Sequence, residues 1–133
     1  MVAAMAPSHP LARTQAVSAK ALQGEHFVGF DQDLPIQDHI DRYFREQKVT
    51  IQTVMRFDNM QMIKEAVAHA AGISIMPRRV MGEELRQGRL VALTLKPAEL
   101  FRPVGIIHRR RKVFNQVASG LLALLREKEH APE

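Results

Sequence analysis

Residues 51–77 read IQTVMRFDNMQMIKEAVAHAAGISIMP, and the order of residue types in this stretch decides the fold. Ile51 to Phe57 has strand character, and Asp58 and Asn59 then offer two side chains suited to capping a helix. Met60, Ile63, Val67, Ala70 and Ala71 form one helical stripe, while Gln61, Lys64, Glu65 and His69 lie off it. Gly72 is placed to end that helix as its C-cap. Ile73-Ser74-Ile75-Met76, closed by Pro77, is an apolar run of the kind found in strands buried on both faces. Strand, helix and strand in so short a span match a parallel crossover unit.

Working outward, Val2 to Met5 reads as a strand that runs into the breakers Pro7, Ser8, His9 and Pro10. A weak helical turn over Ser18 to Leu22 precedes a second strand, His26 to Phe30, which ends in the acidic loop Asp31-Gln32-Asp33-Leu34-Pro35. Ile36, Ile40, Tyr43, Phe44 and Gln47 then recur at helical spacing, with Pro35 suited to the first turn. Downstream, Val80 to Gln87 is a short helix closed by Gly88, Leu90 to Leu95 a strand, and Pro103 to His108 a further apolar strand. Val113, Phe114, Val117, Leu121, Leu124 and Leu125 mark a final amphipathic helix, and the tail after Lys128 is expected to fray. Alternating helices and strands of this kind predict an α/β layered domain with a largely parallel sheet.

The composition agrees with one folded domain: 133 residues, 46% hydrophobic and 25% charged. No apolar run approaches the roughly 18 residues of a membrane span, and no basic segment precedes an apolar one at the N-terminus. Neither a membrane association nor a secretory signal is expected. With no cysteine, disulfides, a thiolate nucleophile and cysteine metal sites are excluded, which fits a cytoplasmic protein. The net charge of +5 is uneven: residues 1–72 carry 7 basic and 8 acidic residues, residues 73–133 carry 12 and 6. Four of those cations are Arg109 to Lys112, which reads as a solvated connector. A nucleic-acid-binding module would need them to form one patch with Arg78, Arg79 and Arg102, and aromatics are only 5%.

Chemistry-bearing patterns are sparse. The six histidines, at 9, 26, 39, 69, 108 and 130, never pair at helical ligand spacing, so no metal site is expected. Asp31 and Asp33 could in principle supply an enzyme's acid/base pair, but Asp38 and Asp41 fall early in a helix, where each stabilises the dipole by about 0.3–1 kcal/mol. No serine sits in a nucleophile elbow, and neither a phosphate loop nor a dinucleotide fingerprint is present, so no cofactor is expected. What remains is a pair of strand-to-helix loops, Phe30 to Ile36 and Phe57 to Met60, at the strand ends where open α/β sheets bind ligands.

His9-Pro10-Leu11-Ala12, then Phe57-Asp58-Asn59 with Ile63 to Val67, then Ala71 to Pro77, come in a telling order. Gly88 to Leu93, Arg102 to Arg110 and a closing helix from Phe114 to Leu125 follow. The series resembles the effector-binding domain of LysR-type transcriptional regulators. That resemblance implies a periplasmic-binding-protein-like (type 2) fold in which two α/β subdomains enclose an effector cleft. On this plan residues 1–8 are a crossing strand, 9–95 subdomain II, 96–128 the returning strand and C-terminal helix of subdomain I, and 129–133 a tail. Most of subdomain I and the winged helix-turn-helix would lie outside these residues, so DNA would be reached only through a domain this chain does not hold.

The resemblance further implies that Phe30, Asp31, Gln32, Asp33 and Leu34, with Phe57, Asp58 and Asn59, face the cleft. Pro77 and Arg78 would lie beneath it, Arg78 placed to pair with an anionic effector. Each has a plainer alternative: Asp58 and Asn59 as helix caps only, Phe30 and Phe57 as core, Arg78 as a surface cation. Val104, Ile106, Val117, Leu121 and Leu124 are expected to leave an apolar patch that drives self-association, as a dimer.

Overall fold

The computed structural model describes residues 1–97, 100–101 and 105–128. It falls into two units, residues 1–103 and residues 104–133. In the first, strands β1 (Val2–Met5), β2 (Ala16–Ser18), β3 (His26–Phe30), β4 (Gln52–Phe57), β5 (Ser74–Met76) and β6 (Val91–Lys96) alternate with helices α1 (Pro35–Glu46), α2 (Met60–Ala68) and α3 (Gly82–Arg86). Four strands pair in the order β2-β6-β1-β5, and β3 pairs with β4. A parallel bridge from Phe27 to Ile73 ties β3 to the chain entering β5.

The expected parallel character holds with one exception. β3 runs parallel to β4 and β2 to β6, whereas β1 is antiparallel to both neighbours, pairing Ala3 with Ile75 on one side and with Leu93 on the other. A strand so enclosed has no polar face to offer, which is why Val2 to Met5 carries only apolar side chains, all buried. α1 buries Ile36, Ile40, Tyr43 and Phe44, and α2 buries Ile63 and Val67. Phe27 meets Phe44 edge to face with ring centroids 5.7 Å apart at the centre of this core.

Several local expectations need correction. α2 ends at Ala68, and Ala70, not Gly72, takes the left-handed backbone at φ 59°. Gly72 has a different reason to be glycine: a Cβ there would stand 2.5 Å from the carbonyl oxygen of His26, in the parallel bridge. β2 escaped prediction because three residues are too few to show a period. The short helix near residue 80 opens as a 3-10 turn over Arg78–Met81, and Gly88 does end it, at φ 67°.

In the second unit, the expected strand Pro103 to His108 is not seen: Pro103, with Arg102 and Val104, lies outside the described residues, and Gly105 to His108 adopt no strand. A strand exists only as part of a ladder, and no described partner pairs with this segment. Helix α4 (Gln116–Lys128) forms as expected, capped by Asn115, whose Oδ1 accepts from the backbone N–H of Ala118. The expected apolar exposure is present in its described part: Ile106, Val117, Leu121 and Leu124 are all exposed. The frayed tail, 129–133, falls outside the described residues.

Candidate functional site

Because β3 and β4 are parallel neighbours, with Phe30 opposite Phe57 beyond a register shift between Phe27 and Val28, their carboxyl ends and the two loops that follow stand side by side. Two hydrogen bonds fasten them: the N–H of Asp31 donates to Phe57 O at 3.1 Å, and Arg56 Nη1 donates to Phe30 O at 2.9 Å. In the second loop Asn59 alone caps α2, its Oδ1 accepting from the N–H of Met62 at 2.9 Å, while its Nδ2 donates to Asp58 Oδ1 at 3.1 Å. Asp58 is thereby released from capping. In the first loop the N–H of Leu34 donates to Asp31 O, and α1 then starts on Leu34 with no side-chain cap.

Between these loops lies a pocket of about 360 Å³, lined by Phe30, Leu34, Pro35, Ile36, His39, Asp58 and Met60. One wall is apolar, from Phe30, Ile36 and Met60; His39 and Asp58 supply the side-chain polarity, the usual balance of a small-molecule site. Of the positions expected from sequence, Phe30, Leu34 and Asp58 line the pocket. Asp31 and Phe57 are half-buried beside it, and Gln32, Asp33 and Asn59 are exposed on the loops, outside the lining. Pro77 and Arg78, at the end of β5, are not part of the lining either. The bend that brings Leu34 back to Asp31 explains why the loop's polar residues turn to solvent.

His39 was not anticipated, whereas Pro35, Ile36 and Met60 belong to the two strand-to-helix loops without having been singled out. A signal existed for His39: it lies four residues after Pro35 and three after Ile36, so all three share one face of α1. Among the described residues no group of three or more His, Asp or Glu side chains is placed to hold a metal ion, and no helix is long and apolar enough to cross a membrane.

The family model for the LysR substrate binding domain matches residues 1–129. The RuBisCO operon transcriptional regulator of Allochromatium vinosum is 30% identical over 112 residues, which are 84% of this chain and 37% of that protein. The HTH-type transcriptional regulator YeiE of Escherichia coli K12 is 29% identical over 84% of this chain and 38% of its own length. The chain therefore spans less than half of these relatives. Among solved structures, the Synechocystis CcmR regulatory domain in complex with 2-PG superposes with a TM-score of 0.78 at 19% identity, over 96% of this chain and 61% of that one. The effector-binding domain of QuiR in complex with shikimate gives 0.72 at 18%, over 98% and 62%. The fold is thus that of these solved regulatory domains, and this chain belongs to the LysR substrate binding domain family.

Proposed function

We propose that this chain is the effector-sensing part of a LysR-type transcriptional regulator and that the pocket between the β3–α1 and β4–α2 loops holds the effector. The observation that carries the reading is the convergence of Phe30, His39, Asp58 and Met60 from two adjacent parallel strands and their helices on one cavity. Ligand-dependent closure over this pocket would be passed to a winged helix-turn-helix carried elsewhere in the regulator, in the cytoplasm where the DNA is. Residues 9–95 serve as the second subdomain, and residues 96–128 contribute to the first.

The same reading takes the effector to be a small hydroxy acid. The first turn of α1 has no side-chain cap and favours an anionic group, while Asp58 on the facing loop accepts hydrogen bonds from hydroxyls. No covalent chemistry is assigned to Asp31 or Asp33, which lie outside the pocket lining. Exposed Ile106, Val117, Leu121 and Leu124 support self-association as a dimer, which light scattering on the chain tests directly. Calorimetric titration with shikimate and 2-PG as first probes tests the site. We expect saturable binding that weakens about tenfold or more in Asp58→Ala and His39→Ala, the loss of one charge-assisted or neutral hydrogen bond each. Binding unchanged in both variants would remove the pocket from the reading.

A further inference from the structure

On the β5 side of β3 the ladder is a single bridge, in which the N–H of Val28 donates to Ile73 O at 2.8 Å. Backbone N–H groups on one side of a strand recur every second residue, so the next to face that side belongs to Phe30, the pocket wall. Here a side chain takes the place of the strand. The N–H of Phe30 donates to Gln37 Oε1 at 2.8 Å, and Gln37 Nε2 donates to Asp41 Oδ1 at 2.7 Å. Gln37 is completely buried although it is polar. Its two partners also fix which way its amide lies, since a backbone N–H needs an oxygen and a carboxylate needs an N–H.

We propose that Gln37 is the positioning residue of the effector pocket: it holds Phe30 in place by standing in for a missing strand, with Asp41 fixing its amide from behind. The inference rests on the reading of this pocket as the effector site. Three elements then converge on one residue, because Gln37 of α1 holds the N–H of Phe30 while Arg56 of β4 holds its carbonyl. The glycine before Phe30 fits the same arrangement. A Cβ at Gly29 would stand 3.0 Å from Gln37 Oε1 and 3.2 Å from the Phe27 ring, so a side chain there would crowd the acceptor off its line. Buried polar groups that are fully satisfied in this way specify one local geometry, and those left half-satisfied lose it.

Amide hydrogen exchange read by NMR on the full chain tests the proposal, with Ile75 in the core as the reference for global opening. Gln37→Met keeps the bulk and removes the acceptor, and we expect the Phe30 amide to exchange about tenfold faster while Ile75 stays within about twofold. Asp41→Asn keeps an oxygen for the Gln37 amide and should leave most of the Phe30 protection in place; Gly29→Ala should fall between it and Gln37→Met. Should Gln37→Met fail to fold, Gly29→Ala against wild type decides by the same Phe30-to-Ile75 comparison. An unaltered Phe30 amide in Gln37→Met, equal acceleration of Phe30 and Ile75, or an Asp41→Asn variant as fast as the Met variant would overturn the role. Silent ligand titrations would instead remove the effector reading and leave the exchange pattern standing.

Discussion

Residues 1–97 and residues 105–128 obey opposite rules of burial. In the first region the apolar faces mostly meet one another: Phe27, Ile40, Ile63, Ile75 and Met76 are fully buried and β1 is enclosed on both edges, although Val54 and Met55 of β4 stay 44% exposed. In the second, the apolar positions that recur along α4 meet solvent, with Val117 81% and Leu124 60% exposed. The lesson is that periodicity alone suffices to write a helix into a sequence, as α4 shows, while a strand such as the one expected before it needs a partner to exist. Core and exposed face carry similar residues; only the neighbours differ.

The sharpest way to break this contrast is to cut into each region in turn. Phe27→Ala removes the ring at the centre of the first core and should lower its stability by about 3–5 kcal/mol, seen as an early denaturation midpoint. Leu121→Ala, in the exposed face of α4, should leave the same midpoint within about 0.5 kcal/mol while reducing self-association. Comparable losses from the two would mean that α4 is packed after all.

Acidity sharpens the comparison at a second level, because the first region contains a buried ion pair. Lys64 Nζ donates to the carboxylate of Glu84 at 2.6 Å and to Val80 O at 3.1 Å, joining α2 to the turn before α3. The hydrogen bond from Lys64 holds the Glu84 carboxyl below its ordinary value of 4.5, outweighing the opposing effect of burial. A carboxyl lowered in the folded state adds stability above the ordinary value and loses it as pH falls below 4.5 toward the folded value. Thermal midpoints measured down that range should therefore decline, and part of the decline should vanish in Glu84→Gln. An identical pH profile in the variant would show that the pair contributes nothing to acid sensitivity.

The smallest expected effect concerns two neighbouring positions in the first region. Ala70 holds a left-handed backbone that glycine adopts without strain, so Ala70→Gly should stabilise by up to about 1 kcal/mol. Gly72→Ala should destabilise despite the ordinary helix preference for alanine, since its Cβ would collide with His26 O. Reversal of these signs in chemical denaturation would restore Gly72 to the capping role that its sequence position suggests.

These two residues also show what can be read from sequence and what cannot. The strands at 26–30, 52–57, 74–76 and 91–96 and helices α1 and α2 follow from apolar spacing and caps, because burial on one face imposes a period. The antiparallel hand of β1 does not follow, since an apolar run buried on both sides looks the same in either direction. Gly72 was misread for a related reason: glycine marks a close approach of backbones as readily as a turn, and the approaching residue, His26, lies far away in sequence. Phe30, Leu34 and Asp58, singled out from the strand-to-helix loops, line the pocket. Arg78 lies outside the pocket lining, and nothing in a sequence states which of three strand ends borders a cavity. Gln37 was invisible, because a glutamine inside an amphipathic helix gives no sign that the strand before it lacks a partner.

The most direct test of the central claim is an NMR titration of the chain with a panel of small hydroxy acids, shikimate among them, followed residue by residue. The account predicts one saturable set of shifts centred on Phe30, Leu34, His39, Asp58 and Met60, with Arg109 to Lys112 unmoved. Shifts that saturate around Arg78 to Met81 or the basic run while those five residues stay still would contradict it.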